Sequence, residues 1–107
     1  MIVYIAGKIT GEPNYKAVFD EAEERLKEEG CIVLNPASLP AGMPSECYMP
    51  ICLAMLQQAD AIYTIRGWER SPGANIEKAF AEYQGKIWRD EVDEDFAAFA
   101  KRVEAKR

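Results

Sequence analysis

Residues 2–6, Ile-Val-Tyr-Ile-Ala, make an unbroken apolar run that stops at Gly7. A strand apolar on both faces has to be covered on both faces, which predicts a central strand of a parallel sheet. The rest of the chain must then supply helices for two faces and strands for two edges. Apolar residues at Tyr15, Val18, Phe19, Ala22 and Leu26 predict an amphipathic helix, with Asn14 placed to cap its start and Gly30 to end it. Cys31 to Leu34 reads as a second strand, closed by Asn35-Pro36, and a loop rich in Pro and Gly runs on to Pro44. Ser45 is placed to cap a second helix reaching about Ala59, and Pro50 inside it implies a kink or a restart near Met49. Asp60 to Ile65 is the third strand.

The third helix has the clearest start, with Ser71 as N-cap and Pro72 at the first helical position, where no N–H is needed. Ile76, Ala79, Phe80 and Tyr83 predict its core stripe, and Gly85 its end. A short strand at 86–88 and a polar helix from Asp93 to Lys106 complete the reading. Strand and helix alternating through short connections imply a parallel sheet wound right-handed, in the order 2-1-3-4. The ligand crevice of such a sheet lies beyond the carboxyl ends of the strands where the order reverses. The loops meeting there are 7–15 and 66–73.

Composition narrows the chemistry. At 107 residues the chain is read as a single domain, 1–107. A net charge of −5 with interspersed signs offers no basic face to a polymeric nucleic acid, but leaves a small anion possible through backbone N–H groups. The three cysteines, Cys31, Cys47 and Cys52, match no zinc or redox spacing and read as reduced, buried thiols. No signal peptide fits the N-terminus, and the apolar stretch from Cys47 to Leu56 is too short to span a bilayer, so the expectation is a cytoplasmic protein without membrane contact. Histidine is absent, which removes imidazole bases and the HExxH zinc site. Acid-base chemistry falls to carboxylates, Cys, Tyr or Lys.

Gly7-Lys8-Ile9-Thr10-Gly11 resembles a phosphate loop only superficially. A Walker A loop needs a glycine separated by four residues from the Gly-Lys pair and a hydroxyl after it; here Ile2 and Ile9 stand there. What survives is a strand-to-helix loop whose N–H groups, with Thr10, hold a polar ligand group or form a plain turn. In the second loop, Gly73 and Glu77 stack on one helix face, so the missing side chain leaves space beside the carboxylate. A carboxylate facing a crevice can act as nucleophile or base; the plainer reading is a surface glutamate. Trp68 is a candidate for stacking on a nucleobase or for covering the core edge, and Tyr4 and Cys52 read as core residues.

The stretches YIAGKITGEPNY, VLNPA and LQQADAIYTIRGWERSPGANIEKAFAE together resemble the small DUF4406 proteins of phages and bacteria. These look like members of the nucleoside 2-deoxyribosyltransferase superfamily, which includes the deoxynucleoside 5′-monophosphate N-glycosidases. The resemblance covers residues 2 to 88. It implies a Rossmann-like, flavodoxin-like α/β fold of four to five parallel strands and a retaining double displacement at C1′ of a deoxyribose. By position, Glu77 matches the superfamily's nucleophile and Tyr4 the tyrosine that assists it. Ser71 matches a serine near the phosphate or sugar, and Gly7, Lys8, Ile9 and Thr10 match the loop lining that pocket; Gly73 and Trp68 complete the candidate set. The superfamily's leaving-group acid, an aspartate, is replaced here by Cys52, and Lys8 stands where relatives carry proline or serine. The reading is an N-glycosidase or deoxyribosyltransferase for a deoxynucleoside or its monophosphate, or else a nucleotide-binding module without turnover. It expects a homodimer or higher homo-oligomer and no metal or cofactor.

Overall fold

The computed structural model of the chain describes residues 1–105. In chain order the elements are β1 (Ile2–Ala6), α1 (Tyr15–Glu28), β2 (Ile32–Leu34), α2 (Ser45–Gln57), β3 (Ala61–Thr64), α3 (Pro72–Tyr83), β4 (Ile87–Asp90) and α4 (Glu91–Ala105), with single 3-10 turns at Pro36–Ser38 and Trp68–Arg70. The four strands form one sheet in the order β2-β1-β3-β4, every pair parallel. The register sets Val3 opposite Val33 and Ala61, and Ala61 opposite Ile87.

β1 is buried from Val3 to Ala6, and its two-residue period divides the core. Val3 and Ile5 pack with Phe19, Ala22 and Leu26 of α1; Tyr4 and Ala6 pack with Cys52 and Leu56 of α2 and with Ala74 and Ala81 of α3. Gly7 then ends the strand for a steric reason. A Cβ there would stand 2.2 Å from Ile65 Cγ1 and 3.2 Å from Phe19 Cζ, so only glycine lets the first loop leave the sheet at this point.

Several local expectations change. Val18 is exposed and leaves the α1 stripe to Phe19, Ala22 and Leu26, because it falls at the edge of the arc that meets the sheet. Asn14 precedes α1 without a side-chain capping bond, and Gly30, at φ +90°, ends the helix as expected. Ser45 is the first helical residue of α2 rather than its cap; Pro44 precedes it. α2 runs unbroken through Pro50, so there is no restart at Met49. Pro50 and Glu46, the residue whose carbonyl loses its partner, are both exposed, where water can replace the missing bond. Cys47 is exposed rather than buried, while Cys52 is buried and Cys31 intermediate.

The largest correction concerns α3. Ile76, Ala79 and Tyr83 are exposed, Phe80 is only partly buried, and the buried stripe is Ala74, Glu77 and Ala81. The helix meets the sheet through its alanines, which lets the backbones approach closely, while Phe80 packs partly buried against that cluster and Ile76 and Tyr83 stay exposed. β4 extends to Asp90 and α4 starts at Glu91, earlier than the spacing predicts, because Asp90 Oδ1 accepts from the N–H groups of Val92 (2.9 Å) and Asp93 (3.3 Å) and caps the helix. The predicted end at Lys106 lies outside the described residues.

Candidate active site

The carboxyl ends of β1 and β3 open into a cavity of about 630 Å³, lined by the loop after β1, the 39–45 loop, the middle of α2 and the start of α3. The sequence loop Gly7, Lys8, Ile9 and Thr10 forms one wall, and Ser71, Gly73 and Glu77 the opposite one. Cys52 lies between them. The volume is in the range of sites that enclose a small ligand.

Glu77 sits in the middle of the buried stripe of α3 and is 6% exposed. Its Oε2 accepts a 2.5 Å hydrogen bond from Tyr4 Oη. Tyr4 reaches it because even positions of β1 face α2 and α3, and Glu77 lies three residues after Ala74 and four before Ala81, on the face turned to that strand. Burial disfavours the charged form and pushes the Glu77 carboxyl up to about 7, against the opposing pull of the hydrogen bond from Tyr4 and of the neighbouring Cys52 thiol. The Tyr4 hydroxyl is raised first by burial and then by the adjacent Glu77 charge, so it stays a proton donor. Burial likewise raises Cys52, which remains a thiol. Tyr4, Glu77 and Cys52 thus form one buried titratable cluster, in which Glu77 and Cys52 line the cavity and Tyr4 holds Glu77 from outside that lining.

Ser71 is committed to its helix: its Oγ accepts from Ala74 N–H at 3.1 Å. Gly73 keeps the space beside Glu77 open, since a Cβ there would meet only Met49 Cε at 3.4 Å and Ser71 Oγ at 3.9 Å. Lys8 lines the wall and lies 3.9 Å from Glu12 across a half-exposed ion pair. Trp68 does not reach the cavity. It packs edge-on against Trp88, ring centroids 6.1 Å apart, and rests on the α2/α3 side of the core, so the stacking role is replaced by the covering one.

Two contributors escape a sequence reading. Arg70 lines the cavity from the 3-10 turn before Ser71, giving the site its second cation beside Lys8. Tyr48 on α2 donates to Pro40 O at 2.6 Å and accepts from Met43 N–H at 3.2 Å, tying the 39–45 loop over the cavity. The signal for Tyr48 is an aromatic hydroxyl next to a loop of unpaired backbone groups, which only the fold makes visible. Among the described residues no group of three or more His, Cys, Asp or Glu is placed to hold a metal ion, and no helix is long and apolar enough to cross a membrane.

A parallel sheet whose order reverses at a cavity holding a buried carboxylate defines a Rossmann-like α/β protein with its site at the switch point. Among solved structures the fold is similar to a 2-desoxiribosyltransferase from Leishmania mexicana, with a TM-score of 0.67 and 22% identity over 83% of this chain. The chain spans 62% of that protein's length. Residues 1–88 match the family described as Domain of unknown function (DUF4406), and the chain belongs to it. No curated protein sequence matches it.

Proposed function

We propose that the protein cleaves or transfers the N-glycosidic bond of a deoxynucleoside or its 5′-monophosphate, with Glu77 as nucleophile and Tyr4 as its positioning partner. The observation that carries this reading is the buried Glu77 carboxylate, hydrogen-bonded by Tyr4 at the floor of the crevice. In the first step a Glu77 oxygen bonds to C1′ as the C1′–N bond breaks, and the bonding pair leaves with the base, which takes up a proton. In the second, water or an incoming base bonds to C1′, the Glu77 ester bond breaks, and the carboxylate is restored with release of a proton. Tyr4 holds Oε2, which leaves the other oxygen to attack. Lys8 and Arg70, the cations lining the cavity, support binding of a phosphate monoester, and Gly7, Ile9, Thr10, Ser71 and Gly73 shape the sugar side. The superfamily likeness supports self-association, and three free thiols support a reducing cytoplasmic setting.

Cys52 favours a second reading, a nucleotide-binding or sensing module. It occupies the place of the expected acid, and a buried thiol with a raised pKa gives up its proton poorly to a departing base. Incubation with a panel of deoxynucleosides and monophosphates, followed by chromatography for free base, decides between them. Base release that disappears in Glu77→Ala supports the glycosidase; ligand-dependent thermal stabilisation without release supports the binder. Release undiminished in Glu77→Ala rejects Glu77 as the nucleophile.

A further inference from the structure

Among the described residues the apolar face of α4 is exposed. Val92, Phe96, Phe99 and Val103 are 40%, 70%, 56% and 40% exposed. Their spacing of four, three and four residues places them in one narrow stripe, the a/d pattern of a coiled coil. The family match ends at residue 88, before this helix begins at Glu91. None of its described residues lines the cavity.

The order of residues along the stripe points to its occupant. It reads Val, Phe, Phe, Val and is therefore the same in both directions. A second copy laid antiparallel sets each Phe96 against the partner's Phe99 and each Val92 against the partner's Val103, giving matched layers under a single two-fold axis. Charge agrees with that direction. Asp95 and Arg102 lie on the same flank of the stripe, and antiparallel packing brings same-flank positions together, so each Asp95 meets the partner's Arg102. A parallel pair sets Asp95 beside Ala100 and leaves both charges without a complement. Among the described residues Asp95 makes a loose 3.5 Å contact with the exposed Arg66, which a closer partner can displace.

We propose that α4 is a self-pairing surface through which two copies associate as an antiparallel helix pair, by way of Val92, Phe96, Phe99 and Val103. The interface is a single helix face, so it lies at the small end of specific interfaces and makes a reversible dimer. The proposal does not depend on the enzymatic reading. Sedimentation equilibrium of the full chain across the micromolar range tests it, with circular dichroism as the check on folding. The wild type is expected to show a concentration-dependent dimer. Phe99→Asp, which buries a charge in two layers at once, is expected to weaken self-association by at least about tenfold with helix content retained. Asp95→Arg and Arg102→Asp should each weaken the dimer, and the double exchange should restore it. A wild type that stays monomeric, including one whose α4 binds anionic vesicles instead, overturns the proposal. So does a dimer indifferent to Phe99→Asp, which has its contact elsewhere, and single charge variants without effect overturn the antiparallel direction.

Discussion

At the scale of single residues, Glu77 decides the character of the site. Its carboxyl has an ordinary value of 4.5 and stands at about 7 when folded, because burial raises it. The folded state therefore holds a proton that the unfolded state gives up between these values. Stability from this group is complete below pH 4.5 and is lost as pH rises through 7, by a total of about 3 kcal/mol at 1.36 kcal/mol per unit. Glu77→Gln keeps the shape and an oxygen for Tyr4 but cannot ionise. Thermal unfolding should show it little changed at pH 4 and more stable than the wild type at pH 8, by up to about 3 kcal/mol, while base release is lost. The same value predicts that wild-type kcat/KM rises with pH through about 7, since attack needs the ionised form. A Glu77→Gln protein less stable than the wild type at pH 8 would show that the ionised carboxylate is itself favoured there. Gly7 is the second deciding residue. Gly7→Ala drives a methyl group into Ile65 and should cost about 1–3 kcal/mol in denaturant unfolding. A cost below that range would mean that Ile65 can turn away.

At the scale of elements, what could be read in advance follows from which forces are local. β1 and β3 are short runs buried on both faces, and a continuous apolar run carries that information by itself. The start of α3 was equally legible, because Ser71 and Pro72 act within one turn. The phase of α3 was not. Hydrophobicity ranks Ile76 and Tyr83 above Ala74 and Ala81, but closeness of approach to Tyr4 and Ile62 selects the alanines, and it turns Glu77 inward. The Gly73 and Glu77 spacing predicts a shared helix face but not its depth, and the structure buries Glu77 rather than leaving it at the surface. Arg70 and Tyr48 could not be found, since their roles arise from loops that meet only after folding. Because Ser71 both caps α3 and borders the cavity, its two roles can be separated. Ser71→Ala should lose about 1 kcal/mol of stability through the orphaned Ala74 N–H, and Ser71→Asp should recover it through a carboxylate acceptor. If the aspartate variant is stable but binds monophosphates more weakly than Ser71→Ala, the added charge is felt at a phosphate. Equal binding by the two variants would place the phosphate away from Ser71.

At the scale of the whole molecule, the cavity and α4 lie in different parts of the chain. The lining residues fall between Gly7 and Glu77, within the region common to the family, and α4 begins at Glu91. α4 is nevertheless tied to the body at its first turn. Glu91 pairs with Arg25 and accepts from Arg66 N–H at 3.0 Å, while Arg89 binds Glu94 at 2.7 Å and Glu29 at 2.9 Å. These contacts fix where the helix leaves the sheet, and the stripe from Val92 to Val103 is free of them. Self-association and ligand binding should then be separable. In Phe99→Asp, an added deoxynucleoside monophosphate should raise the melting temperature as much as it does in the wild type, since the stabilisation depends only on ligand concentration relative to Kd, about 2.7 kcal/mol at a hundredfold excess. The measurement is made at a protein concentration where the wild type is dimeric, so that the two proteins differ in assembly alone. A ligand shift lost along with the dimer would mean that pairing through α4 completes the cavity from outside.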